Sequence, residues 1–196
     1  MSTRTFIWIL VAVLAAVIIV SNARMQFKSA KNEPKQQHIE SAFITVIAPR
    51  LEKKSLNEES LKKSLEDYVS DVSVYGVFYK KAEYSVIFTR YKKPFDARDS
   101  AKNLISLFSG NNFTYEESFE KINGDEIIKI SGIFESSGEK YGVEALYAKR
   151  GVYLWQVLTV YPFSAENKAA AEKFINSAIF DKEIAIKEKN GTDKQK

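Results

Sequence analysis

The scarcity of histidine and cysteine limits the chemistry available to this chain. His38 is the only histidine in the 196 residues, and cysteine is absent. A Ser-His-Asp triad needs a histidine beside its nucleophile, and zinc sites in proteins rely on cysteine and histidine ligands. We place His38 in a linker outside the folded domain, so neither site is expected. The glycines occur singly, without a glycine-rich phosphate-binding loop.

A Ser-x-x-Lys spacing is the remaining pattern for a nucleophile and its base, because a lysine can activate a serine. It occurs three times, at Ser60–Lys63, Ser118–Lys121 and Ser137–Lys140. Two of the three fall on predicted strand ends or turns instead of at a helix start inside a cleft. The abundance of serine and lysine accounts for the pattern. A serine–lysine hydrolase is therefore the less favoured alternative for this chain.

Acidic residues concentrate around one predicted hairpin. They are Glu116, Glu117, Glu120, Asp125 and Glu126. Such a group could hold a divalent cation weakly or form a carboxylate acid–base pair. The spacing is not that of a calcium loop, and a polar sheet face balanced by lysines explains it better. We predict no metal, no cofactor and no catalytic residue.

Aromatic residues offer the strongest candidate for a binding surface. They recur at even spacings within two predicted strands: Tyr141, Tyr147, Tyr153, Trp155 and Tyr161. Even spacing places side chains of one strand on the same sheet face, and Tyr and Trp favour interfaces. The alternative is ordinary core packing. We predict a half-exposed aromatic face that docks a protein partner.

The elements in the first half of the chain follow from β-rich runs and helix caps. A strand over Ile39–Ala48 ends at Pro49, and a capping box at Ser55 predicts a helix to Asp67. Two further strands, Val72–Tyr79 and Tyr84–Tyr91, form a hairpin. Asp96 or Asp99 then caps a helix through Phe108.

The second half predicts a four-stranded antiparallel meander. Its strands are Phe113–Ile122, Asp125–Glu135, Lys140–Lys149 and Val152–Tyr161. Short turns separate them, and the first turn is Asn123-Gly124, a strong hairpin signal. A final helix runs from Ser164 to about Ser177. The fold class is therefore α+β, a single antiparallel sheet flanked by two to three helices.

An unbroken apolar run, FIWILVAVLAAVIIV, covers residues 6–20. Its sequence predicts an uncleaved anchor helix within residues 1–23, with cleavage after Ala23 as the alternative that would release the protein. The apolar residues of this membrane segment include Phe6, Trp8, Leu10, Leu14, Ile18 and Val20. Residues 24–38 read as a basic flexible linker and residues 181–196 as a disordered tail. We expect the domain, residues 39–180, to lie outside the cytoplasm.

The basic charge lies outside the predicted domain. The whole chain carries a net charge of +4, yet residues 40–180 contain 19 basic and 20 acidic side chains. Nucleic-acid-binding domains carry excess positive charge on their own surface. The charge distribution therefore argues against a nucleic-acid partner and favours a membrane-proximal protein.

Several features of the predicted domain resemble the PsbP-like α+β fold. These are a meander with Gly132 inside it, the strand Val152–Thr159, and a last helix closing on Phe174-Ile-Asn-Ser177. The resemblance covers about residues 40–180 and implies a binding or assembly module of the envelope or thylakoid lumen. It implies no common active site and transfers no functional residue. The sequence thus predicts a non-catalytic module that docks an envelope protein, or alternatively carries a small hydrophobic ligand.

Overall fold

The computed structural model describes residues 33–54, 67–122 and 124–181 of the chain. The predicted anchor, the helix expected after Ser55 and the predicted tail beyond Asp181 lie outside the described residues. Within the described residues, no helix has the length and apolar character needed to span a bilayer.

A seven-stranded antiparallel sheet forms the centre of the domain. Its strands are β3 (Glu52–Lys54), β4 (Val69–Tyr79), β5 (Ala82–Tyr91), β6 (Thr114–Ile122), β7 (Asp125–Ser136), β8 (Glu139–Arg150) and β9 (Tyr153–Pro162). They lie in the order β3-β4-β5-β9-β8-β7-β6. The four strands β6 to β9 are the predicted meander, and the hairpin β4–β5 pairs with its last strand, β9.

A second sheet of three strands packs on the first. It consists of β1 (Lys35–Ile39), β2 (Ile44–Ala48) and β10 (Ile179–Phe180), in the order β1-β2-β10. The single strand predicted over Ile39–Ala48 is wrong, because a 3₁₀ turn at Glu40–Ala42 reverses the chain and Phe43 adopts a φ of 51°. Residues 35–38 of β1 belong to the segment that the sequence suggested as a linker, so His38 lies in a strand and not in a linker.

Two helices complete the α+β fold, which is confirmed. α1 (Ala97–Phe108) begins after Asp96, whose side chain accepts a hydrogen bond from the Arg98 amide. α2 (Ala165–Asn176) begins after Ser164, whose side chain accepts from the Asn167 amide. Both caps satisfy amides that the first helical turn would otherwise leave unpaired, which is why these two starts are readable from the sequence.

The two faces of the large sheet are covered by different layers. The α1 face carries Ile128, Ile130, Val143 and Leu158, which pack against α1. The opposite side, which we call the small-sheet face, includes the buried side chains Leu146, Tyr153, Trp155, Val157 and Tyr161. These pack against the three-stranded sheet and α2. A core of two layers results, with the large sheet between them.

Candidate functional site

The aromatic residues predicted to form an exposed face are mostly buried. Trp155 has no exposed surface, and its indole Nε1 donates a hydrogen bond of 2.6 Å to the Ala42 carbonyl oxygen. Tyr147, Tyr153 and Tyr161 are buried as well. The predicted docking face is therefore corrected: these four side chains are core residues, because the small sheet, α1 and α2 cover the large sheet on both faces.

The five aromatic residues also do not share one face. Across the β8–β9 turn, Tyr147 pairs with Gln156 and Ala148 pairs with Trp155. Paired residues of antiparallel strands point to the same side, so Tyr147 and Trp155 point to opposite faces. Tyr141 accompanies Tyr147 on the α1 face, where it stays half-buried and its hydroxyl donates to Glu139 Oε2 at 2.9 Å.

The predicted serine–lysine pairs do not form an enclosed site. Ser118 lies on β6 with Lys121, and Ser137 lies in a turn with Lys140 nearby; all four residues are exposed. Ser60 and Lys63 fall outside the described residues. Because these side chains are open to solvent, they offer no sheltered cleft in which a lysine could activate a serine.

The acidic group separates into two parts. Glu116, Glu117 and Glu120 are exposed on β6, whereas Asp125 and Glu126 form ion pairs with Arg150 and Lys149. Within the part of the chain that the structure describes, no three acidic or histidine side chains are grouped to hold a metal ion.

His38 has two polar neighbours that the sequence did not predict. Its Nδ1 lies 3.1 Å from Thr45 Oγ1, and its Nε2 lies 3.7 Å from Asp181 Oδ2. The imidazole is half exposed, and the carboxylate lies beyond hydrogen-bonding distance. This arrangement lacks the aligned and sheltered proton relay that a triad requires.

One edge of the large sheet is open along its whole length. All nine residues of β6 are exposed, and within the described residues this strand pairs with β7 alone. Three large apolar side chains lie on it: Tyr115 is 45% exposed, Phe119 44% and Ile122 49%. The strand at the opposite edge, β3, has only three residues, all of them charged.

The two faces of β6 differ in chemistry. Tyr115 and Phe119 pair with Gly132 and Ile128, so they lie on the α1 face, together with Glu117 and Lys121, whose opposite charges offset each other. The Arg98 guanidinium lies 4.4 Å from the centre of the Phe119 ring, which fixes one side of that ring. Glu116 and Glu120 pair with Ser131 and Ile127 and lie on the small-sheet face. We call this open strand with its two chemically distinct sides the β6 edge.

A cleft of about 750 Å³ opens beside the β6–β7 hairpin, between the large sheet and the end of α2. Apolar side chains form most of its lining, and Asp125, Lys129, Arg150 and Asn176 supply the polar groups. The apolar side chains come from five elements and the segment that joins α2 to β10: Ile122, Ile127, Leu146, Ile175, Ala178 and Phe180. Such a volume falls within the range of about 300–1,000 Å³ usual for small-molecule sites.

The two cationic side chains of the cleft have different partners: one contacts a carboxylate and the other contacts a neutral amide. Arg150 donates to both carboxylate oxygens of Asp125, at 2.7 and 2.6 Å, and to the Asp181 carbonyl oxygen at 2.6 Å. Lys129 instead donates to the neutral amide oxygen of Asn176 at 3.2 Å. Among the described residues, no carboxylate lies within ion-pairing distance of the Lys129 ammonium.

Glu83 is a buried carboxyl group that the sequence analysis did not single out. It is 7% exposed, and its Oε1 has no hydrogen-bond partner in the part of the chain that the structure describes. Burial raises the pKa of Glu83 to about 8. Its neighbours across the strands are Phe78 and Val160, which supply no compensating charge. No sequence signal distinguishes it from an exposed glutamate at a hairpin end.

Comparison with known proteins identifies the fold and does not assign a function. No protein-family model matches the sequence, and no curated protein matches it. Cyanobacterial PsbP (CyanoP) from Synechocystis sp. PCC 6803 has a similar structure, with a TM-score of 0.50 and 11% identity. The match covers 76% of this chain and 92% of that chain.

A second similar structure is LpqN, which is involved in cell envelope biogenesis of Mycobacterium tuberculosis. It matches with a TM-score of 0.47 and 9% identity, over 79% of this chain and 88% of that chain. The likeness to CyanoP, at 11% identity, establishes the fold alone. The predicted PsbP-like fold is confirmed by the CyanoP likeness, and the site must be interpreted from this chain's own residues.

Proposed function

We propose that this chain is a membrane-tethered or exported, non-catalytic binding module of the cell envelope that docks a protein partner through the β6 edge. The observation that carries this proposal is the complete exposure of β6, a nine-residue strand with one unpartnered side among the described residues. An open strand presents a row of amides and carbonyls that can pair with another chain. Strand addition of an extended peptide is a recurrent mode of protein recognition.

The contrast between the two edges of the sheet supports β6 as the docking edge. Proteins protect exposed edges with short strands and with charged side chains. β3 has both protections, being a strand of three charged residues. β6 is three times as long and exposes Tyr115, Phe119 and Ile122. An edge with half-exposed aromatic side chains gains apolar contact when a partner strand covers it.

The alternation along β6 defines the partner's chemistry. A strand added beside β6 would place every second side chain next to Tyr115 and Phe119 on the α1 face. Its intervening side chains would lie next to Glu116 and Glu120 on the small-sheet face. Opposite charges across strands and apolar contacts between strands are each favourable. The partner is therefore an extended segment in which apolar and basic residues alternate.

Charge also argues against a second copy of this chain as the occupant. In an antiparallel pairing of two β6 strands centred on Ser118, Glu116 of one copy lies opposite Glu120 of the other. The two-fold symmetry creates this contact twice. Like charges directly opposite each other destabilise a strand pair. A basic segment of a different protein avoids this repulsion between glutamates.

The membrane location rests on the apolar run over residues 6–20. Protease added outside intact cells or vesicles, with the mature amino terminus read by mass spectrometry, tests it. Digestion of the domain supports an extracytoplasmic module, and an amino terminus at Arg24 indicates release. Protection until the membrane is opened places the domain inside and contradicts the proposed location.

A pair of synthetic peptides tests the docking. One is a capped nine-residue peptide of alternating valine and lysine, and the other has the same composition with the alternation broken. We expect the full chain to bind the alternating peptide more tightly and to gain hydrogen-exchange protection in residues 114–122, because new backbone hydrogen bonds form there. Equal binding of both peptides contradicts strand addition.

Charge-reversal variants locate the binding. Glu116→Lys combined with Glu120→Lys should weaken the alternating peptide by about tenfold, from two cross-strand pairs of roughly 0.2–1 kcal/mol each and the repulsion that replaces them. Glu52→Lys combined with Asp71→Lys is the matched control, since it makes the same change in net charge at two exposed positions near the other end of the sheet. Equal weakening by both would show that only the overall charge matters.

A further inference from the structure

We propose that the cleft between the β6–β7 hairpin and the end of α2 binds a single-chain amphiphile with a carboxylate head, such as a fatty acid. This site shares only Ile122 with the β6 edge and holds a different class of ligand. The argument starts from the floor of the cleft. Ile127, Leu146 and Ile175 line it and are nearly buried in the free protein.

The shape of the cleft suits an elongated apolar group. Asp125 and Lys129 both line it and lie four residues apart on β7. At about 3.4 Å per strand residue, the trough between them extends for roughly 13 Å. Ile127 lies between them on the same face, and Phe180 forms part of the wall. An acyl chain along this trough would remove apolar surface from water on both sides.

The charges of the cleft define which end receives the head group. At one end, Asp125 and Arg150 neutralise each other through two hydrogen bonds, and Arg150 also binds the Asp181 carbonyl. At the other end, the Lys129 ammonium donates to the neutral Asn176 amide and, among the described residues, forms no ion pair. The residues that line the cleft therefore carry one net positive charge, at Lys129. Glu116 and Glu120 lie diagonally across from Lys129 on the same face of β6, but they do not line the cleft. A carboxylate placed at Lys129 would form an ion pair with the ammonium, which a neutral head group cannot do.

Photolabelling of the full chain tests this site. The chain is reconstituted in nanodiscs of zwitterionic phospholipid and irradiated with a twelve-carbon fatty acid that carries a diazirine at the tail. The corresponding diazirine alcohol serves as the neutral probe. We expect the acid to label residues in β7, β8 or the segment from Ile175 to Phe180 more strongly than the alcohol does. Label confined to residues 6–23 would overturn the proposal, since it would report only probe dissolved in the bilayer.

Two lysine variants separate the head-group contact from general charge. Lys129→Gln should lower cleft labelling by the acid about two- to fivefold, as for a solvent-accessible ion pair, and leave labelling by the alcohol unchanged. Lys121→Gln is the matched control, because Lys121 lies on the neighbouring strand but on the α1 face. Equal effects of the two variants would contradict a carboxylate site at Lys129.

A variant of the apolar wall provides an independent measurement. Phe180→Ala should lower cleft labelling by both probes, because it removes apolar contact without changing charge. Unchanged labelling by both probes would contradict binding in the cleft. Loss of cleft labelling as the protein concentration rises would instead assign the cleft to a contact between two copies of the chain.

Discussion

The aromatic ring of Tyr161 lies directly against the backbone of Gly142, its partner across strands β8 and β9. The Tyr161 hydroxyl continues past the glycine and donates a hydrogen bond of 3.1 Å to Glu144 Oε1, which also accepts from Ser131 at 2.8 Å. Burial raises the pKa of Tyr161, so its hydroxyl remains a donor at neutral pH. Gly142 is therefore a site of close packing between a ring and a strand.

Replacing this glycine tests the packing. A Cβ at position 142 would overlap the Tyr161 ring, so Gly142→Ala should destabilise the fold by about 1–3 kcal/mol, the usual cost of overpacking a core. Denaturant unfolding of the two proteins measures the difference. Gly110→Ala is the control, because no heavy atom lies within 4 Å of a Cβ built at Gly110. Equal stability of wild type and Gly142→Ala would show that the ring moves aside freely.

The buried carboxyl of Glu83 predicts a pH dependence of stability. Its pKa is raised from 4.5 to about 8 in the folded protein. Well below pH 4.5 the group is protonated in both states, so it contributes no pH dependence to the free energy of unfolding. Between pH 4.5 and 8 the unfolded chain releases the proton while the folded chain retains it, so stability falls as the pH rises.

Glu83→Gln isolates this contribution. The variant keeps the shape of the side chain and cannot ionise, so it should match wild type near pH 4.5 and exceed it at pH 8. The expected difference at pH 8 is on the order of 4 kcal/mol, because the pKa of Glu83 is raised from 4.5 to about 8. Unfolding free energies measured across this pH range give the result. A difference independent of pH, or the same profile in the exposed-residue control Glu117→Gln, would contradict the assignment.

Local signals in the sequence identified many of the elements correctly. Asp96 and Ser164 mark the two helix starts because a cap acts on amides only two or three residues away. Gly124 has a φ of +90°, the left-handed backbone expected of the glycine in an Asn-Gly turn. The pairing of β5 with β9, and of β2 with β10, joins segments far apart in the chain, and no local pattern encodes it.

The sequence alone could have shown that the aromatic residues of β8 and β9 do not share one sheet face. A two-residue hairpin turn pairs odd-numbered positions on one strand with even-numbered positions on the next. Tyr147 and Trp155 are both odd, so any such turn between their strands sends them to opposite faces. The β6 edge was not foreseeable in this way, because the position of a strand in the sheet depends on long-range pairing. Its glutamates were recognised only as a candidate acidic site.

The ion pair between Arg150 and Asp125 should contribute to the attachment of β10. Both oxygens of Asp125 accept from the guanidinium, and a third bond reaches the Asp181 carbonyl just after β10. A double-mutant cycle with Arg150→Gln and Asp125→Asn should give a coupling free energy of about 1–2 kcal/mol, above that of an ordinary surface pair because the contact is bidentate and partly buried. The cycle between Lys168 and Glu172, an exposed pair on α2, provides the comparison. Equal coupling in the two cycles would contradict a special role for Arg150.

The hydrogen bond from Trp155 to Ala42 joins the two sheets across 113 positions of the chain. Trp155→Phe should destabilise the fold by about 2–4 kcal/mol, because the smaller ring leaves a cavity and the buried Ala42 carbonyl loses its donor. Phe163→Leu is the control at an exposed aromatic residue, where we expect a change below about 0.5 kcal/mol.

The measurement is denaturant unfolding, combined with hydrogen exchange of β1 and β2. If the small sheet is held chiefly by Trp155, its amides should lose protection at lower denaturant than those of β7 and β8. Simultaneous loss in all strands would show instead that the two sheets unfold as one unit.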